Sequence, residues 1–109
     1  NHGEANAILL PHTMRFNLDA SAGRQALIAE AMGIDTRGMS DEDAGLAAAD
    51  EVDRLCRQLK IPATLREVGV PEEGLELIAS ATLQDRALAT NPKPISDAGP
   101  IMTVLRSAW

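Results

Sequence analysis

The chain contains two histidines, His2 and His12, and imidazole nitrogens are common metal ligands. A metal site needs several ligand atoms within about 2.0–2.3 Å of one ion. These residues are ten positions apart, which corresponds to roughly 15 Å of rise along a continuous helix. They could bind one ion together only if the helix broke completely. Their spacing therefore favours a structural or solvent-exposed role for each.

The other reactive residue types do not form a recognisable site. Cys56 lies on or beside the apolar stripe of a predicted helix, and we interpret it as a small buried hydrophobic residue. The acidic run 41–43 is interpreted as first-turn helix charge. The serines lack a nucleophile elbow, and the dispersed glycines form no phosphate-binding loop. The residues by themselves therefore assign no catalytic and no cofactor-binding side chain.

Composition favours an all-α protein. Only 2 % of the 109 residues are aromatic and alanine is frequent, which suits helices better than strands.

The net charge of −6 and the scattered basic residues argue against nucleic acid and anionic membranes as partners. The single cysteine excludes an internal disulfide and is compatible with the cytoplasm. We find no apolar stretch of bilayer length and no signal peptide.

Periodicity and end signals predict about five helices. They cover approximately residues 4–16, 20–32, 40–60, 71–83 and 96–109. A kink or a break is expected at Pro11, an end at Gly33, and a capping box at Ser40 and Asp43. In the third helix the apolar stripe is predicted to contain Leu55 and Leu59.

The first predicted helix is apolar on nearly every side, which is typical of a buried helix. The four other segments are only modestly amphipathic. We therefore expect that further polypeptide covers part of this helix. The start at Asn1, without an initiator methionine, suggests a chain cut inside a domain.

Four stretches resemble the iron-containing (metal-dependent) alcohol dehydrogenase family. Residues 2–17, HGEANAILLPHTMRFN, are similar to the family signature H-G-x-A-N-A-x-L-L-P-H-x-M-x-F-N. Three shorter matches follow in the family's order: Ile61-Pro62 with residues 65–70, LREVGV; Asn91-Pro92-Lys93; and Ala108-Trp109. The first match is long and specific, and the others support it by their order.

The resemblance implies a two-domain, dehydroquinate-synthase-like enzyme. Residues 1–109 would belong to its all-helical C-terminal domain, and its dinucleotide-binding N-terminal domain would be absent from this chain. One Asp and three His would hold a divalent metal in the interdomain cleft, Fe²⁺ first and Zn²⁺ as the alternative. The last ligand would be His2, whereas His12 matches a motif histidine that is not a ligand. NAD or NADP and small alcohols or aldehydes are implied, as is a homodimer or larger assembly.

One departure from the family is large. The other three ligands and the Gly-Gly-Gly-Ser phosphate-binding turn would lie upstream of Asn1, so we expect the chain to be inactive alone. The alternative is a stand-alone helical interaction module derived from such an enzyme. Among enzymes, the maleylacetate reductase branch shares the fold, although the retained His2 favours a metal-binding branch.

Overall fold

The computed structural model describes all residues from Asn1 to Trp109 and contains helices, turns and loops without a β-strand. Its α-helices are α1 (His2–Ala31), α2 (Asp41–Gln58), α3 (Leu75–Leu83) and α4 (Ala98–Ala108). Two 3₁₀ turns, Glu72–Gly74 and Arg86–Thr90, flank α3. The all-α prediction is confirmed, but the predicted number of about five helices is wrong. Four form, because the first two predicted segments lie in one bent helix.

The bend in α1 lies at Ser21, whose backbone angles of φ −145° and ψ 25° are not helical. The Ser21 hydroxyl donates to the carbonyl of Asn17 at 2.7 Å, a back-bond that bends helices. Across the bend, Gln25 Nε2 donates to the carbonyl of Met14 at 2.8 Å. A straight helix would separate those two residues by roughly 16 Å. The halves of α1 are therefore turned toward each other.

The helix does not break at Pro11, which keeps helical backbone angles. Proline has no N–H, so the carbonyl of Ala7, four residues earlier, loses its usual donor. The thiol of Cys56 on α2 lies 3.9 Å from this carbonyl oxygen. This contact gives the freed carbonyl a weak donor from the neighbouring helix. The helix thus continues through Pro11, and the bend with non-helical backbone angles lies ten residues further along, at Ser21.

The end signals act as their residue types predict. Ser40 Oγ accepts the N–H of Asp43 at 3.1 Å and caps α2. At the end of α1, Gly33 has φ +85°, and the N–H of Ile34 donates to the carbonyl of Ala29 at 3.1 Å. This is the Schellman arrangement, which requires the left-handed region that glycine enters without a steric penalty.

Two separate clusters form the core. The larger joins the first half of α1 to α3 and α4, and consists of Ile8, Leu65, Leu75, Ala79, Ile101, Leu105 and Ala108. The smaller joins the second half of α1 to α2 and consists of Ala26, Ala29, Ala44 and Ala48. Gly45 lets the two helices approach closely at Leu18 and Gln25.

Much apolar surface remains uncovered. Only 16 of 109 residues are buried, and nine large hydrophobic side chains are exposed: Leu10, Leu27, Ile28, Met39, Leu46, Leu55, Leu59, Leu77 and Ile78. The predicted buried positions Leu55 and Leu59 are 46 % and 63 % exposed. None of the four helices has the length and hydrophobicity needed to cross a bilayer.

Candidate metal-ligand site

His2 is the first residue of α1 and its side chain is exposed. Asn1 caps this end of the helix, with its Oδ1 accepting the N–H of Gly3 at 2.9 Å. The cap fixes the helical turn that carries the imidazole, because it satisfies a backbone donor that has no intrahelical partner. His2 therefore projects into solvent from an ordered helix end.

Asn6 is the one side chain that holds the His2 ring. Its Nδ2 lies 3.1 Å from His2 Nε2, a contact that the i,i+4 spacing of a helix makes possible. Two pairings fit this contact. The amide nitrogen donates to Nε2, which leaves the ring proton on Nδ1, or the amide oxygen accepts the Nε2–H, which leaves the Nδ1 lone pair free. Sequence reasoning missed Asn6, although its spacing of four from His2 was a visible signal.

His2 has no companion ligand within the chain. Nowhere do three or more His, Cys, Asp or Glu side chains converge on a point that could hold a metal ion. An exposed imidazole fits one position of a metal centre, but one ligand does not make a site.

His12 lies further along α1, half-buried and too far from His2 to share an ion. Burial lowers the pKa of His12, and the positive charge of Arg15 lowers it further, whereas Asp53 acts in the opposite direction. Arg15 itself bridges to α2 by donating to Asp50 at 2.8 Å and to Asp53 at 2.5 Å. The neutral form of His12 is thus favoured beside an ion pair that joins the two helices.

Two stretches singled out in the sequence meet at the far end of the straight part of α1. Asn17 and Asn91 exchange two amide hydrogen bonds, and Asn91 also donates to the carbonyl of Lys93 at 2.7 Å. The Lys93 ammonium lies 4.6 Å from the centre of the Phe16 ring and 3.1 Å from Asp19 Oδ2. The loop that carries Asn91 and Lys93 therefore fixes the end of the helix that begins at His2.

The remaining candidates behave as structural residues. Cys56 is half-buried, and its thiol lies 3.9 Å from the carbonyl oxygen of Ala7. The acidic run 41–43 forms the first turn of α2, as expected from helix electrostatics. Neither feature contributes to a site around His2.

Comparison with known proteins shows the family to which the chain belongs. A sequence profile described as "Fe-containing alcohol dehydrogenase family, C-terminal" matches residues 1–109. The chain belongs to this family. The match covers the whole chain, so it includes His2, the Asn17–Asn91 contact and the C-terminal Trp109. The family membership inferred from four stretches of sequence is thereby confirmed.

Individual members of the iron-containing alcohol dehydrogenase family are similar to this chain in sequence. Lactaldehyde reductase of Escherichia coli K12 is 42 % identical over 108 residues, which are 99 % of this chain and 28 % of that protein. An NAD-dependent methanol dehydrogenase of Bacillus methanolicus is 36 % identical over 92 residues, which are 84 % of this chain and 24 % of that protein. The chain thus spans about a quarter of the length of these relatives.

The fold of the chain also matches a solved structure. A crystal structure of 1,3-propanediol oxidoreductase matches with a TM-score of 0.94 and 38 % sequence identity, covering 100 % of this chain and 28 % of that chain. The helical C-terminal fold expected from the resemblance is therefore confirmed.

Proposed function

We propose that this chain is the C-terminal part of a metal-dependent, NAD(P)-linked alcohol dehydrogenase that interconverts small alcohols with aldehydes or ketones by hydride transfer. The observation that carries the proposal is the family match over all of residues 1–109. Residues 1–109 form part of the helical C-terminal domain, and the dinucleotide-binding domain lies outside this chain. Alone, the chain is inactive, because it holds no complete site.

His2 is the proposed metal ligand of this chain. Its imidazole is exposed at an ordered helix end. Ligation requires the Asn6 amide to present its oxygen to the Nε2–H, as second-shell groups do for metal-binding histidines, so that Nδ1 keeps its lone pair for the metal. The proposed metal is Fe²⁺, with Zn²⁺ as the alternative, since imidazole binds both. When bound, such an ion supplies Lewis acidity toward the oxygen of the alcohol or carbonyl substrate.

The proposal also covers the cofactor, the class of substrate, the cellular location and the assembly. A nicotinamide cofactor is supported by the relative named as NAD-dependent, and NADP is the alternative. The acidic net charge of −6 supports a small-molecule substrate over nucleic acid or an anionic membrane. A cytoplasmic location and a homodimer or larger assembly complete the proposal.

The test compares the two histidines of α1 in the longer protein that contains this chain. His2→Gln should abolish retention of Fe²⁺ and the metal-dependent oxidation of NADH or NADPH with small aldehydes. His12→Gln, the matched control on the same helix, should keep its metal. Bound metal is measured by elemental analysis and turnover by nicotinamide absorbance. A His2→Gln protein with full metal content would refute the ligand assignment, and a metal-loaded parent inactive on a range of aldehydes would refute the dehydrogenase proposal.

A helical interaction module is the second candidate, favoured by the nine large hydrophobic side chains left exposed. This candidate requires the 109-residue chain to fold alone and to present that surface to a partner. A single cooperative thermal transition of a monomeric chain would support the module. A molten or aggregated chain would support a fragment of a larger fold.

A further inference from the structure

Two side chains cap the first half of α1 at the bend. The Ser21 hydroxyl donates to the carbonyl of Asn17 at 2.7 Å, and the Lys93 ammonium lies 3.5 Å from the carbonyl oxygen of Phe16. Carbonyl groups at the C-terminal end of a helix need donors of this kind, and a positive charge at this end also complements the helix dipole. Lys93 is 77 positions from Phe16 in sequence, so this cap comes from a distant loop.

The same loop, residues 91–93, holds this helix end through further contacts, and we call it the clamp loop. Asn91 and Asn17 exchange their two amide hydrogen bonds, and the remaining N–H of Asn91 donates to the carbonyl of Lys93. Lys93 also forms an ion pair with Asp19 at 3.1 Å and lies over the Phe16 ring. Asn17 is 8 % exposed, so water competes little for its hydrogen bonds. The clamp loop therefore fixes residues 16, 17 and 19 of α1.

The clamp loop ties α1 to the other half of the molecule. α2 packs mainly on α1, so the ion pairs of Arg15 with Asp50 and Asp53 hold these two helices to each other and not to α3 or α4. The first half of α1 reaches α3 and α4 through the larger core cluster, where Ile8 is 4 % exposed. The clamp loop lies between α3 and α4 in the chain. It therefore gives α1 a second point of attachment, at Asn17.

The two points of attachment determine where His2 lies, because a helix moves as a nearly rigid rod. Ile8 is roughly 9 Å along the helix from His2, and Asn17 is roughly 14 Å from Ile8 in the other direction. If the helix tilted about Ile8, a displacement of about 1 Å at Asn17 would move His2 by roughly 0.7 Å. Metal–ligand distances vary by only about 0.2 Å. A small tilt at the clamp loop is therefore enough to disturb a ligand at the other end of the helix.

We propose that Asn91 and Lys93 are positioning residues for His2, and that they set the place of its imidazole by fixing the tilt of the first half of α1. They do so from the opposite end of the helix. The inference rests on the proposed role of His2 as a metal ligand. It gives the clamp loop a role in metal affinity in addition to its role in stability.

The metal affinity of the longer protein that contains this chain tests the inference. The metal-free protein is titrated with Co²⁺ alone against a competing chelator, and the visible absorbance of bound Co²⁺ reports the ligand geometry. Asn91→Ala and Lys93→Met should each weaken Co²⁺ binding by about tenfold or more and change that spectrum. Lys93→Arg keeps the positive charge at the helix end, so it should bind Co²⁺ nearly as tightly as the parent.

Trp109→Phe is the matched control, because it removes the hydrogen bond to the carbonyl of Val70 and leaves the clamp loop intact. It should lower stability without weakening Co²⁺ binding, which separates a positioning role from a general loss of stability. All variants are compared at a temperature at which circular dichroism shows each to be folded. If Asn91→Ala does not fold, Lys93→Met carries the comparison.

Four outcomes separate the inference from the function on which it rests. Co²⁺ affinities of both clamp-loop variants equal to that of the parent, with the metal lost in His2→Gln, would overturn the inference alone. A loss of affinity in Trp109→Phe as large as in the clamp-loop variants would also overturn it. A His2→Gln protein that binds Co²⁺ as tightly as the parent would remove the ligand assignment and the inference with it. A parent that binds no Co²⁺ would refute the metal proposal itself.

Discussion

Asn17 and Asn91 exchange two side-chain hydrogen bonds of 3.0 and 2.8 Å across 74 positions of sequence. Asn17 is only 8 % exposed, so each amide satisfies polar atoms that water reaches poorly. The contact joins the end of the long N-terminal signature to the Asn91-Pro92-Lys93 loop. Both stretches are family motifs, and their contact gives the two asparagines a shared physical role.

This amide pair should show strong energetic coupling. Asn17→Ala and Asn91→Ala should each lower the free energy of unfolding by about 1–3 kcal/mol, because each removes both hydrogen bonds of this part-buried amide pair. The double variant should cost less than the sum by about 1 kcal/mol. Urea unfolding with matched slopes measures these values. Asn6→Ala serves as an exposed control, and additive costs for the pair would contradict the prediction.

Two glycines should respond to alanine in opposite directions. At Gly45 an added Cβ would collide with Leu18 Cδ1 and lie 3.2 Å from Gln25 Cβ, so Gly45→Ala should destabilise the protein by about 1 kcal/mol despite better helix propensity. At Gly23 the nearest neighbour is Asp41 Oδ2 at 3.6 Å, so Gly23→Ala should stabilise by about 0.5–1 kcal/mol. Thermal melts provide the comparison, and equal shifts would show that α1 and α2 are not closely packed at Gly45.

His12 should make stability depend on pH in a defined window. Burial and Arg15 lower its pKa below the ordinary 6.5, so the unfolded chain binds a proton more readily than the folded one. The contribution of His12 is therefore complete above about pH 6.5 and is lost as the pH falls toward its lower folded pKa. Melting temperatures across this range should fall less for His12→Gln than for the parent. Parallel curves would exclude His12 as the source.

The C-terminal residue should act as an anchor. Trp109 Nε1 donates to the carbonyl of Val70 at 2.8 Å, and the Arg66 guanidinium lies 5.0 Å from the Trp109 ring centre. Trp109→Phe keeps the apolar ring but leaves that carbonyl without its donor, which should cost about 1 kcal/mol. Arg66→Met should cost about 0.5 kcal/mol through the lost cation–π contact. Chemical denaturation measures the loss of stability in each variant. An unchanged unfolding midpoint for Trp109→Phe would refute the anchoring role of Trp109.

Local chemistry made much of this structure predictable. Ser40 and Gly33 act as helix ends because capping depends on a few neighbouring atoms, which the sequence specifies directly. The helix count was wrong because the sequence suggested two segments, 4–16 and 20–32, whereas the chain continues as one helix that bends at Ser21, where Gln25 contacts Met14 across the bend. That contact requires tertiary folding, and no residue spacing encodes it.

The proposal that His2 is a metal ligand comes from family resemblance alone. Spacing favoured a non-ligand role for His2, and no group of three or more His, Cys, Asp or Glu side chains in this chain could hold an ion. The predicted burial of Leu55 and Leu59 was wrong for a related reason. Their apolar character was clear, but burial also needs a covering surface, and this chain supplies none there.

The bend at Ser21 also divides α1 between two hydrophobic clusters of different composition. The half that begins at His2 packs in the cluster of Leu, Ile and Ala side chains, whereas the half after the bend packs against α2 through small alanine side chains, with Met14, Met32 and Ile34 beside them. In native-state hydrogen exchange, amides after Ser21 should therefore exchange through a low-energy opening while those from Ile8 to Asn17 remain protected. The end of the molecule that presents the imidazole can thus stay ordered while the opposite end repeatedly unfolds and refolds.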